Sequence, residues 1–127
     1  MSKKLLIVDD EDYLRMLIEQ ALEDLEDDGV EFFTASNGLE ALELIKDEQP
    51  ELVFLDVMMP KMNGIEVCRQ VKQELGMKGV YIVMLTAKGQ ELDRKKGEDV
   101  GADLYMTKPF DPDKLLDKAR EVLALDD

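Results

Sequence analysis

The chain has no histidine and no tryptophan among its 127 residues, and one cysteine, Cys68. Without histidine there is no Ser-His-Asp arrangement, no imidazole ligand for zinc and no phosphohistidine on this chain. Any phosphate chemistry must therefore rest on carboxylates, hydroxyls and lysines. A lone cysteine excludes an internal disulfide and suits a reducing compartment; its plain role is a small buried apolar residue on a helix. No apolar run reaches the roughly 18 residues of a membrane span. The four apolar residues that follow Met1-Ser2-Lys3-Lys4 are too few for a signal peptide. These absences point to a cytoplasmic protein with no membrane contact. Positive charge is scarce as well: 16 Lys and Arg face 30 Asp and Glu, a net charge of -14. That balance argues against direct nucleic-acid binding, which wants a basic surface.

What the chain does have is a regular alternation of short apolar runs and amphipathic segments, with 45% hydrophobic residues overall. There is no repeat, low-complexity tract or linker, so residues 1–127 read as one domain, long enough for a real core. Leu5-Leu6-Ile7-Val8 is the first run, ended by Asp9-Asp10-Glu11-Asp12. Leu14, Leu17, Ile18, Ala21, Leu22 and Leu25 then recur at helical spacing, with a stop at Gly29. A second strand is predicted over Val30–Ala35, and Asn37 caps a helix that ends before Pro50. Leu52-Val53-Phe54-Leu55 has no polar alternation, as in a strand covered on both faces, and stops at Asp56. Asn63 caps the next helix; Val80–Leu85 is the fourth strand and Ala102–Thr107 the fifth. Between them, residues 89–100 offer few apolar anchors, so a helix there is expected to be loosely held. Asp111-Pro112 starts a last helix striped by Leu115, Leu116, Ala119, Val122 and Leu123. Five strand–helix units with right-handed crossovers make a three-layer, doubly wound α/β domain around a parallel sheet.

In such a sheet the carboxyl ends of all strands share one rim, where ligands bind. Asp9 and Asp10 end the first apolar run, Asp56 the third, Thr86 follows the fourth and Lys108 the fifth. Each has an ordinary reading on its own: helix-start charges, a turn aspartate, a strand-end threonine, a loop lysine. Together they put three carboxylates, a hydroxyl and an ammonium on one edge. Clustered carboxylates repel unless a cation joins them. Magnesium, with few carboxylates, several waters and a phosphate, suits that set. A carboxylate can then act as nucleophile and form an acyl phosphate.

These residues carry a resemblance. Asp9-Asp10, the run Asp56-Val57-Met58-Met59-Pro60-Lys61-Met62-Asn63-Gly64, Leu85-Thr86-Ala87 and Lys108-Pro109-Phe110 are similar, in order and spacing, to the receiver domain of two-component response regulators. The resemblance spans essentially the whole chain and implies a flavodoxin-like fold with strand order 2-1-3-4-5. It implies that Asp56 accepts a phosphoryl group from a histidine kinase or phosphotransfer protein. Asp10, Asp56 and the Met58 backbone carbonyl would ligate Mg2+, with Asp9 acting through a bound water. Thr86 and Lys108 would engage the phosphate, and Tyr105 would be the aromatic switch partner of Thr86. Such receivers dock downstream protein targets on the face formed by strand four, the helical segment after it and strand five. The Lys108–Pro109 peptide is often cis in receivers. Asn63 stands where many of them have aspartate, and either residue can cap the helix.

Other readings stay open at this point. An aspartate-nucleophile phosphohydrolase of the haloacid-dehalogenase type uses the same acyl phosphate, but wants an acid/base carboxylate where Met58 stands. A pseudo-receiver would keep the fold without the chemistry. Tyr105 can be a packed strand tyrosine, and Met58 and Lys88 plain surface residues. With no output domain after the last helix, the chain is expected to signal by docking if it is complete.

Overall fold

The computed structural model describes residues 3–87, 95, 99–108 and 110–124. Five strands, β1 (Lys4–Val8), β2 (Glu31–Ala35), β3 (Leu52–Asp56), β4 (Tyr81–Ala87) and β5 (Leu104–Lys108), form one sheet in the order β2-β1-β3-β4-β5. Every pairing is parallel. Helices α1 (Asp12–Ala21), α2 (Gly38–Glu48), α3 (Gly64–Arg69) and α4 (Pro112–Val122) cover the two faces.

The pleat divides the apolar runs between the two faces. Leu6 and Val8, Val53 and Leu55, and Ile82 and Met84 join one buried cluster with the α2 and α3 residues Ala41, Ile45, Val67 and Cys68. Leu5 and Ile7, Leu52 and Phe54, and Val83 and Leu85 join a second with Ile18, Leu115 and Ala119 of α1 and α4. A period of two feeding both faces is why these runs carry no polar residue. Phe54 is fully buried, and truncating such a residue to alanine typically costs about 3–5 kcal/mol.

Local chemistry places the helix starts as expected. The Asn37 side chain accepts from the Glu40 amide, Asn63 from the Glu66 amide and Asp111 from the Asp113 amide, each at 2.9 Å. Pro112 occupies the first turn of α4, where its missing N–H costs nothing. Several boundaries differ from the expected ones. The first helix stops at Ala21 and continues as a 3-10 turn, Glu23–Glu26, before Gly29 at φ +84°. Five acidic residues between Glu23 and Asp28 oppose the negative end of a helix dipole, so tightening there has a physical reason. The third helix gives way after Arg69 to a π turn, Gln70–Glu74. Within that turn the Lys72 ammonium reaches the Val80 carbonyl and the Asp103 carboxylate, 2.9 Å away, on the neighbouring strand ends.

Strand β4 runs two residues further than the apolar pattern suggests, because β5 pairs with it through Thr86↔Thr107 and Ala87↔Lys108. Thr86 thus lies within β4, and Lys108 is the last residue of β5 rather than a loop residue. Lys88 and Pro109 lie outside the described residues, as does most of 89–100. Val100 packs against the core, and its carbonyl accepts from the Cys68 thiol at 3.9 Å. No helix among the described residues is long and apolar enough to cross a membrane.

Candidate functional site: an acidic rim bridged by lysine

Parallel register brings the rim together. Val8 pairs with Leu55, and Asp56 with Leu85, so Asp9 and Asp56 are the next residues outward on neighbouring strands. Asp9 is wholly buried and Asp56 is 6% exposed. The Lys108 ammonium donates to Asp9 Oδ2 and to Asp56 Oδ1, both at 3.0 Å. One cation thus joins two buried carboxylates, the arrangement that buried charge requires. The other Asp9 oxygen accepts from the Glu11 amide at 2.9 Å, which turns the chain toward α1.

Electrostatics mark Asp56 out. Burial raises its pKa to about 6, with further upward pressure from Asp9 and Asp10, while the hydrogen bond and charge of Lys108 pull the other way. Lys108 is held above its ordinary range: burial opposes its charge, but the hydrogen bonds to Asp9 and Asp56 outweigh it. Carboxylate oxygens of Asp9, Asp10 and Glu11 come within 4.8 Å of one another, a spacing that suits one hard cation. Glu11 was not among the expected ligands. Its signal in the sequence is only that the acidic run continues past Asp10.

The loop beyond β3 is braced by close backbone approach. A Cβ on Gly64 would stand 2.2 Å from the Asp56 carbonyl oxygen, so only glycine fits there. A Cβ on Gly38 would meet the Met62 carbonyl oxygen at 1.9 Å, which seats the start of α2 against the same loop. Inside the loop, the Met62 amide donates to the Pro60 carbonyl at 2.7 Å around Lys61 at φ +67°. That is a tight γ-turn held by its surroundings. Met58 is 60% exposed on this rim.

Thr86 and Tyr105 fall on the other side of the pleat from Lys108. Met84 and Tyr105 are register partners, and both belong with the α2–α3 cluster, as the alternation also places Thr86. Thr86 is 6% exposed and Tyr105 partly buried. The fold therefore sorts five of the expected residues into two sets. Asp9, Asp56 and Lys108 are in direct contact; Thr86 and Tyr105 share a neighbouring face.

A doubly wound parallel sheet with an acidic rim at its carboxyl edge defines a flavodoxin-like α/β domain whose candidate site lies where such folds bind ligands. The family model for the response regulator receiver domain matches residues 5–120, and the chain belongs to that family. Among curated proteins it is 46% identical over 123 residues to the alkaline phosphatase synthesis transcriptional regulatory protein PhoP of Bacillus subtilis, covering 97% of this chain and 49% of that one. The chain spans about half the length of the curated relatives it matches. Among solved structures, the chemotaxis response regulator CheY4 of Vibrio cholerae is 33% identical with a TM-score of 0.81, covering 96% of this chain and 99% of that one. A CheY-like response regulator receiver domain protein from Methanospirillum hungatei is 30% identical with a TM-score of 0.84, covering 98% and 95%. The chain is a receiver domain in a signalling role, and neither the phosphohydrolase nor the pseudo-receiver reading is favoured.

Proposed function

We propose that Asp56 is the phosphoacceptor of this receiver. The observation that carries the reading is the pair of 3.0 Å bonds from Lys108 to Asp9 and Asp56 at the carboxyl edge of the central strand. An Asp56 carboxylate oxygen attacks the phosphorus of a partner's phosphohistidine. The P–N bond breaks, its electron pair returns to the imidazole, and an acyl phosphate remains on Asp56. Asp10, Asp56 and the Met58 carbonyl would hold Mg2+, with Asp9 acting through a water; Glu11 lies close to Asp9 and Asp10. Held there, such an ion would supply positive charge against carboxylate repulsion and against the charge on the phosphoryl oxygens. Lys108, already at Asp56, pairs with the phosphate, and Thr86 supplies a hydroxyl to it.

The output is a population shift. Thr86 and Tyr105 share a face of β4 and β5, so a movement of Thr86 toward phosphate frees space on the side where Tyr105 packs. Reversing a 1:99 equilibrium takes about 5.5 kcal/mol of differential stabilisation, part of which charge-assisted bonds to phosphate provide. The face carrying β4 and β5 then meets a downstream protein. The Bacillus subtilis relative is by name a transcriptional regulator. This domain, with a net charge of -14, is by itself a poor ligand for nucleic acid. A histidine kinase or phosphotransfer protein is the donor.

Incubation with magnesium and acetyl phosphate tests the assignment. Intact mass should rise by one phosphoryl group, the adduct should be base-labile, and Asp56→Asn should abolish it. An adduct that survives in Asp56→Asn would refute Asp56 as acceptor.

A further inference from the structure

The four backbone and side-chain polar positions of Asp9 are all engaged. Its amide donates to the Ala35 carbonyl at 3.2 Å, its side-chain oxygens accept from Glu11 and Lys108, and its carbonyl accepts from Arg15 Nη1 at 2.5 Å. The last bond stands apart, because it is made by a side chain of α1 to the Asp9 backbone. Its other terminal nitrogen is tied to the Asp12 carboxylate, and the Arg15 side chain is 18% exposed. The Asp9 carbonyl and the Asp10 amide belong to one rigid peptide plane. A guanidinium bonded to the Asp9 carbonyl therefore constrains the tilt of that plane, and with it the direction in which Asp10 leaves the strand, while the Asp12 carboxylate, 93% exposed, adds a weaker second hold. Asp10 is exposed and is itself one of the clustered carboxylates.

From this geometry we infer that Arg15 is a positioning residue for the cation site: held by Asp12, it locks the Asp9–Asp10 peptide so that the Asp10 carboxylate is presented to a divalent ion. The inference rests on the proposed reading of the rim as a magnesium site. Charge alone predicts the opposite effect, since a guanidinium beside the cluster repels a cation and its removal would tighten binding. Lysine separates the two contributions. It keeps the charge but cannot bond the carbonyl and the Asp12 carboxylate together through a planar fork.

The experiment is a Mg2+ titration of the full chain, followed by amide shifts of Asp10, Glu11 and Asp56, for wild type, R15K, D12N and the double variant. Arg120→Lys serves as control, since its 3.1 Å ion pair with Asp28 belongs to another part of the surface. R15K should weaken magnesium binding about tenfold, in the range usual for residues that orient ligands. Its melting temperature in EDTA should stay at the wild-type value. D12N should weaken binding less, and the double variant no more than R15K alone, as two parts of one clamp. Unchanged or tighter binding in R15K, with the wild type titrating normally, overturns the inference alone. A parallel fall in melting temperature and affinity overturns it as well, in favour of a purely structural role. A wild type that does not respond to magnesium overturns the reading of the rim, and the inference with it.

Discussion

Asp56→Asn should make the metal-free protein more stable, and the gain should depend on pH in one direction only. Burial has moved this carboxyl from its ordinary value of 3.8 to about 6, so the folded state holds its proton more tightly than the unfolded chain does. Below pH 3.8 both states are protonated and there is no penalty. As pH rises through the interval the unfolded chain ionises more readily, and the wild type loses stability until the penalty is complete above pH 6. The full difference is about 3 kcal/mol, at 1.36 kcal/mol for each factor of ten in proton affinity. Lys108 is already counted in that figure, because its hydrogen bond lowers the pKa against the larger effect of burial. Asparagine has nearly the shape of the protonated acid and carries no charge, so it should recover much of this. For a chain of this length the gain corresponds to about 10 °C in melting temperature. Circular dichroism melts in EDTA between pH 4.5 and 8 read it directly: the gap between variant and wild type should open from pH 4.5 to 6.5 and then level off. Magnesium should narrow it from the wild-type side, by about 2.7 kcal/mol at a hundredfold excess over the dissociation constant. A variant no more stable than wild type at pH 7.5, or a gap independent of pH, would refute the account of Asp56 as a carboxylate strained by burial.

Two further outcomes follow from the same contacts. Lys108→Met leaves Asp9 and Asp56 buried without their cation, and should cost about 3 kcal/mol in EDTA melts, with much of the loss restored by magnesium. Lys61→Gly should stabilise the domain by up to about 1 kcal/mol in urea unfolding, since Lys61 sits at φ +67°, where a side chain is strained and glycine is not. A loss of stability there would mean that the Lys61 side chain makes a compensating contact.

How much of this could be read from residues alone varies with how local the cause is. The order of elements was legible because both periods are short-range: two-residue alternation feeding two faces, and three- and four-residue spacing along helices such as Leu14–Ala21. Caps at Asn37, Asn63 and Asp111 act within three residues, and each appears where the pattern puts it. The acidic rim was legible too, because chain topology sends every strand's carboxyl end to one edge. The strand limits at Thr86 and Lys108 were not, since they depend on where β5 pairs with β4 rather than on composition. Nor was the π turn after Arg69, within which Lys72 makes contacts on other strands.

Residue order alone was thus enough to specify a doubly wound domain, its two apolar faces and a set of carboxylates on one edge, because each follows from neighbours a few positions apart. Only folding in three dimensions could decide how those carboxylates are balanced. Lys108 meets Asp9 across 99 positions of chain and Asp56 across 52. Thr86 and Tyr105 are sorted onto the α2–α3 face by the pleat, and Arg15 turns back from a helix to hold the Asp9 carbonyl. Buried charges must find partners wherever the packed chain brings donors within reach, and no local pattern records which donor that will be.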